Sequence, residues 1–326
     1  MNTFNFSSAN AQNCASPITT PVSVVGEYAV DKDGFPIEGA QAPVYLKKNL
    51  PIALEFSHKV PFLTYPSMND FFEIADVWEG STVFAGRSTL RNLARCFLFP
   101  ADDYYCREFT IDAGYLRGKL LLQRHMEDIS DQKEGYGAVF ERTVTAGAHP
   151  EAHSYNQFVT YPVGEHNLMV RCDVDCVTDL KSKRPLGLTT KKVKRMKKGT
   201  GYYPMGPPSY FQEQWLQMVL SGTYMLIIGE RDEGAVNTDR ANIVKLSTHS
   251  AATLATQGDL SSARQQEVFD GLNAALSWIK KCFERNMASK REAADTLSQA
   301  QIRFTIAGGI KQLVFVPLAK TQHVEM

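Results

Sequence analysis

Apolar positions along this chain change their period several times, and those changes mark its elements. Met68 to Trp78 and Ser88 to Phe97 carry apolar residues at helical spacing; in the second, Arg91 and Arg95 stand four apart on one face. Arg107 to Ile111, Leu116 to Gln123, Ser154 to Val163 and Leu168 to Thr178 are rich in β-branched, aromatic and leucine residues, which predicts strands. Gly164-Glu165-His166-Asn167 predicts a hairpin turn between the last two, and Leu186 to Val193 continues the sheet. Tyr210 to Leu220 predicts a helix, Tyr224 to Ile228 a buried strand and Ala241 to Ser247 another. Thr248 to Ser262 is small and polar and reads as a loop. Gln265 to Met287 has the most regular helical stripe, and Ile302 to Ile306 with Ile310 to Val316 form a closing hairpin through Ala307-Gly308-Gly309. The stretch up to Pro61 is broken by turns and prolines and is expected to wrap the outside.

This order of elements predicts an α+β or mixed α/β fold, with helices packed on a mixed sheet. No internal repeat or linker divides the chain, so a single domain is expected over 22–326. Residues 1–21, rich in Asn, Ser, Ala and Thr, read as a disordered leader and not a secretion signal. No window approaches the roughly 18 uninterrupted apolar residues of a membrane span. Hydrophobic residues at 44% allow a sizeable core. The 35 basic and 35 acidic residues cancel, so attraction to phosphate has to come from local clustering. The six cysteines lack zinc spacing. Cys172 and Cys176 on a strand share a face as packed thiols, which suits a reduced nuclear or cytoplasmic setting.

Local clustering is present. Asp173 and Asp175, alternate residues of the strand expected over Leu168 to Thr178, would share one face. With Glu141, which follows Gly137 and an apolar run, they can hold a hard divalent cation such as Mg²⁺ or Mn²⁺ that activates water. The plainer reading is the solvent face of an edge strand. Lys181 to Lys198 holds nine basic residues and no acid. Lys183, Lys191 and Lys192 within it are candidates for phosphate contact, while a solvated loop or a nuclear import signal at Lys191 to Lys198 would look the same. The seven histidines have neither metal nor triad spacing.

The order of these pieces resembles the decapping exoribonuclease (DXO-type) family, nucleases related to the PD-(D/E)xK fold. The resemblance runs from about Ser81 to Pro317. Gly86-Arg87-Ser-Thr-Leu90 resembles a motif whose arginine contacts substrate, and Leu116-Arg117-Gly118 resembles the strand after it. Gly137 to Glu141 resembles a glycine-hydrophobic-glutamate motif. Val170 to Val177 resembles a Glu-Val-Asp-Cys strand, with Asp173 in place of the glutamate. Gln214-Trp215-Leu-Gln217 resembles a helix that presents a glutamine, and Tyr224 to Gly234 an apolar strand ending in Gly-Phe-Arg-Asp-Pro-Glu-Gly.

The resemblance implies two facing sheets, mostly antiparallel or mixed, with helices outside and a nuclease-like cleft between them. It implies metal-dependent hydrolysis at RNA 5′ ends: cap removal, pyrophosphate release or 5′–3′ degradation. It further implies Glu141, Asp173, Asp175 and Gln217 at the reaction, Arg87 and Arg117 on substrate, and an exoribonuclease as a possible partner. One family motif is missing. Where a Glu-x-Lys is expected, Gly187 and Thr189 stand, and no acid occurs between Asp179 and Glu213. Lys183 or Lys191 would have to substitute for the lysine, and water or Glu213 for the carboxylate. Three functions remain open: a degenerate hydrolase, a reader of RNA 5′ ends or nucleotides without turnover, and an unrelated use of the fold.

Overall fold

Pairing of strands far apart in sequence builds two mixed sheets in the computed structural model. It describes residues 2–6, 14–31, 33, 35–37, 39–55, 80–125, 135–195, 202–204, 207–232, 240–290 and 297–318. The chain begins with β1 (Asn2–Asn5), β2 (Ser23–Val30), β3 (Pro36–Ile37), β4 (Val44–Tyr45) and β5 (Ile52–Glu55). There follow β6 (Val83–Gly86), α1 (Arg87–Leu98), β7 (Phe109–Leu116), β8 (Lys119–Arg124), α2 (Tyr136–Val144) and β9 (Thr145–Ala146). The middle holds β10 (Ser154–Val163), β11 (His166–Asp173), β12 (Cys176–Val177), β13 (Pro185–Arg195), β14 (Tyr202–Pro204) and α3 (Pro208–Ser221). Last come β15 (Met225–Asp232), β16 (Arg240–His249), α4 (Ala251–Gln257), α5 (Ser262–Lys290), β17 (Ser298–Ala307) and β18 (Ile310–Pro317).

The large sheet has the order β1-β18-β17-β7-β8-β6-β11-β10-β2-β3, and the smaller one β5-β16-β15-β13-β12-β4-β9, with β14 on β13. Both are mixed. In the large sheet β6 runs parallel to β8 and to β11, and in the smaller sheet β13 runs parallel to β15. The main core joins the large sheet to α1, α3 and α5 through Leu90, Trp215, Phe269 and Phe283, and reaches the smaller sheet at Leu226 and Ile228. A second core lies between the smaller sheet and α2, with Phe140, Leu188 and Ile243 at its centre. Helix α3 buries residues around most of its circumference, including Glu213, Gln214, Trp215 and Val219. It starts at a proline-favoured first turn and stops at Gly222, whose φ of 63° suits the left-handed cap.

Three expectations change. The supposed leader contributes β1, which pairs with β18, because Phe4 and Phe6 lodge among Phe97, Trp278 and Phe304. The stretch read as a loop over Thr248–Ser262 contains the end of β16 and helix α4, started by Ser250 and Thr253, which cap each other's backbone N–H groups. The strand expected over Leu168–Thr178 ends at Asp173 and resumes at Cys176 in the other sheet. The helix expected over Met68–Trp78 lies outside the described residues. No helix among them is long and apolar enough to cross a membrane.

Candidate active site

The three parallel strands β6, β8 and β11 end together, at Gly86, Arg124 and Asp173, and the candidate residues gather at that end. Ligands of mixed and parallel sheets commonly lie outside the carboxyl ends of the strands. Asp173 closes β11 and is exposed. Arg87 opens α1 directly after β6 and donates from Nη2 to Asp173 Oδ2 at 3.2 Å. Asp175 lies two residues further on, where the chain crosses from the large sheet to the smaller one. Its Oδ2 accepts the backbone N–H of Leu188 at 2.6 Å. Asp173 and Asp175 therefore do not alternate on one strand as expected. The sheet change, with β12 pairing to β13 from Cys176 onward, interrupts the strand between them.

Glu141 sits on α2, which packs against the smaller sheet, and it feels both aspartates. Burial raises its carboxyl well above the usual range, and the charges of Asp175 and Asp173 raise it further, against the lowering influence of Arg87. Burial also pushes Asp175 up to about 6, opposed by the Leu188 N–H and Arg87. Three carboxylates thus share one field with a single guanidinium partly neutralising it, the electrostatic pattern of a site built for a cation or a proton. The hard oxygen donors suit Mg²⁺ or Mn²⁺ in kind. They do not close on an ion as they stand. One oxygen of Asp175 is engaged by Leu188 and one of Asp173 by Arg87. Among the described residues no three His, Cys, Asp or Glu side chains are grouped to hold a metal.

Gly187, where the resemblance implies a carboxylate, offers no side chain. A Cβ there would meet Leu226 Cδ1 at 3.0 Å and Thr223 Cγ2 at 3.5 Å, on the α3 side of the smaller sheet. Thr189, two residues on, stands beside Tyr210 of α3. Gln217 is engaged by Glu213, to whose Oε1 its Nε2 donates at 3.2 Å. Glu213 is no replacement ligand either. It is 1% exposed and clamped by Arg95, whose Nε donates to Oε2 at 2.8 Å and whose Nη2 donates to Oε1; Arg91 Nε lies 3.6 Å from Oε1.

The basic candidates disperse. Arg117 occupies the turn between β7 and β8 with φ of 49°, at the opposite end of the sheet from Arg87, about 17 Å away by strand rise. Lys183 is exposed in the turn before β13. Strand alternation separates Lys191 from Lys192. The first is buried, with its ammonium 4.9 Å from the Phe211 ring centre; the second is exposed. Burial lowers Lys191, with Glu230 opposing. The run Lys181–Lys198 is thus not one basic face, and its last residues lie outside the described ones. The arginines at helical spacing on α1 were legible as a face. Their partner Glu213, more than a hundred residues away, was not.

No family model and no curated protein matches this sequence. Solved structures do match. Rai1 of S. pombe superposes with a TM-score of 0.68 at 15% identity, over 98% of this chain and 99% of that one. The chain has the fold of Rai1 and Dxo1. K. lactis Dxo1, solved with manganese, gives 0.62 at 11% identity over 98% of both chains. Candida albicans Rai1, solved with pU5 and Mn²⁺, gives 0.60 at 12% over 93% of this chain and 92% of that one. The two-sheet α+β architecture expected from the motifs is the one found.

Proposed function

We propose that this chain is an RNA 5′-end processing protein of the decapping nuclease type. It would bind the terminal phosphates of RNA, or a nucleotide bearing them, where β6, β8 and β11 end. The observation that carries this reading is the convergence of Glu141, Asp173, Asp175 and Arg87, drawn from three elements and the crossing between the sheets, on that end of a Rai1-like fold. Glu141, Asp173 and Asp175 would hold Mg²⁺ or Mn²⁺, as manganese accompanies Dxo1 and Rai1 in two of the similar structures. Such a cation offsets phosphoryl charge and lowers the pKa of bound water.

The chain's own groups supply the rest. Arg87, released from Asp173, can present its guanidinium to a phosphate, and the N-terminus of α1 adds a favourable dipole beside it. Burial raises the Glu141 and Asp175 carboxyls above their ordinary values, a cost that a bound divalent cation would offset by favouring their charged forms. Gln217 lies one helical turn from Glu213 and would orient water only by exchanging that partner. The same reading puts the protein with RNA in the nucleus or cytoplasm, with an exoribonuclease as a possible companion.

A second reading, in which binding persists without turnover, is favoured by Gly187 and Thr189. Neither offers a ligand oxygen of carboxylate strength nor a cation for the developing charge. Purified protein with 5′-triphosphate, 5′-monophosphate and NAD-capped RNAs, with and without Mn²⁺, decides between them. Manganese-dependent product that disappears in Asp175→Asn establishes the hydrolase. Salt-sensitive binding without product establishes the reader. Neither product nor binding removes both.

A further inference from the structure

Further along α1, a cavity of about 370 Å³ opens between that helix and strands β7, β8 and β17. Arg91, Arg95, Arg107 and Arg124 line it with His125, and Glu108 is the one acid among the lining residues. Two nearby acids are already committed. Asp112 pairs with His125 at 2.8 Å, and Glu213 is held by Arg95. Arg91 Nε is buried there and donates no hydrogen bond. Burial brings Arg91 down to about 10, opposed by the charge of Glu213 and aided by the neighbouring charges of Arg95, Arg87 and Arg124. An arrangement of cations that repel one another across a cavity is stabilised when an anion enters.

Aromatic surface borders the same place. Tyr105, Phe109 and Phe304 line the cavity, and the Tyr104 ring next to it is 70% exposed with the Arg107 guanidinium 4.0 Å from its centre. Arginines beside an exposed aromatic ring bind phosphates and stack a base. Arg87, Arg91 and Arg95 succeed one another at four-residue steps, so the cavity begins about 6 Å along α1 from the candidate active site.

We propose that this cavity is a second subsite, which takes the phosphates and a base of single-stranded RNA a few nucleotides downstream of the end held at Arg87. The proposal rests on the reading of the cleft for its direction along the strand, and on the cavity alone for its chemistry. Arg107 and Arg124 are its exposed anchors, Arg91 and Arg95 its floor, and Tyr104 its stacking surface.

The test compares binding of a 5′-monophosphorylated ten-nucleotide oligouridylate with that of the dinucleotide pUpU, by fluorescence anisotropy competition in EDTA. The full chain, an Arg107→Gln/Arg124→Gln variant, Tyr104→Ala and Arg87→Gln are used. The decamer is expected to bind the unaltered chain at least about tenfold tighter than pUpU, and the double variant to lose most of that advantage. Its salt slope should fall by about 1.4, as loss of two contacts to a single strand requires. Tyr104→Ala is expected to weaken the decamer without changing that slope. A decamer advantage that survives in the double variant, or is absent from the unaltered chain, overturns the subsite while leaving the cleft to be judged on pUpU. Arg87→Gln that leaves pUpU binding unchanged sinks the cleft reading instead. A ten-residue polyglutamate that competes as well as the decamer overturns RNA as the occupant.

Discussion

Replacing Arg95 by methionine removes the fork that grips Glu213 while keeping most of the side-chain volume against α1. Glu213 is almost fully buried, and it would be left with Gln217 Nε2 at 3.2 Å and Arg91 Nε at 3.6 Å. Breaking a buried ion pair costs about 3–5 kcal/mol, because the surviving charge has no water to replace its partner. Arg91 remains close, and Arg95 itself is about one-fifth exposed, which puts the expected loss at the lower end, about 3 kcal/mol. For a chain of this size that corresponds to a fall in melting temperature of about 4 °C. The decisive comparison is Arg95→Met/Glu213→Gln. The neutral amide leaves no buried carboxylate stranded, so the double variant is expected to recover at least about 1 kcal/mol over Arg95→Met alone. Urea unfolding followed by tryptophan fluorescence, to which buried Trp215 contributes, measures both, with unchanged slopes as the condition for comparing midpoints. A double variant no more stable than Arg95→Met would refute the claim that an uncompensated Glu213 causes the loss.

Asp175→Asn and Glu141→Gln should each weaken Mn²⁺ binding, read by calorimetry, by about tenfold or more, since each deletes one of the three carboxylates proposed as donors. Equal affinity in both would remove these residues from the metal site. Gly187→Glu should move the affinity the other way, provided Leu226 Cδ1 gives by a few tenths of an ångström. Burial holds His166 below its ordinary value, with Nε2 2.9 Å from Ser277 Oγ. A histidine depressed by folding contributes stability that is complete above the unfolded value of about 6.5 and is lost as pH falls through the folded one. The melting temperature should therefore drop between pH 7 and 5 by more in the unaltered chain than in His166→Gln, and equal drops would contradict this. Phe6→Ala, which empties a site between Phe97 and Phe304, is expected to cost about 2–3 kcal/mol in urea unfolding, less than a fully buried Phe because Phe6 is only partly covered. No loss would mean that the N-terminal strand is not part of the folded core.

Elements whose side chains meet a single apolar surface were legible. Ser154–Val163 was read to the residue, and α1, α3, α5 and the closing hairpin came within a few positions, because helical and strand periods are written directly in the order of apolar residues. Helix α4 escaped because it buries little besides Leu254 and Ala255, too few positions for a period to emerge. Its Ser250 and Thr253 cap was present in the sequence and outweighed by the small-polar composition around it. Strand β1 escaped because four residues between polar stretches show no alternation of their own; its partner β18 supplies the reason for its existence.

Of the candidate site, the sequence by itself determined the ingredients: Asp-x-Asp, a glutamate behind a glycine and apolar run, arginines at four-residue steps, and the glycine and threonine where a carboxylate and a lysine were expected. Only the tertiary structure decided that Asp173 and Asp175 flank a change of sheet, that Glu141 shares their field, that Glu213 belongs to Arg95, and that Arg117 lies at the wrong end of the sheet. The reason is physical. Period and propensity act over a few residues, whereas which charge meets which depends on ladder register and on strands paired parallel across tens of residues. Those pairings are settled when the whole apolar surface is buried at once.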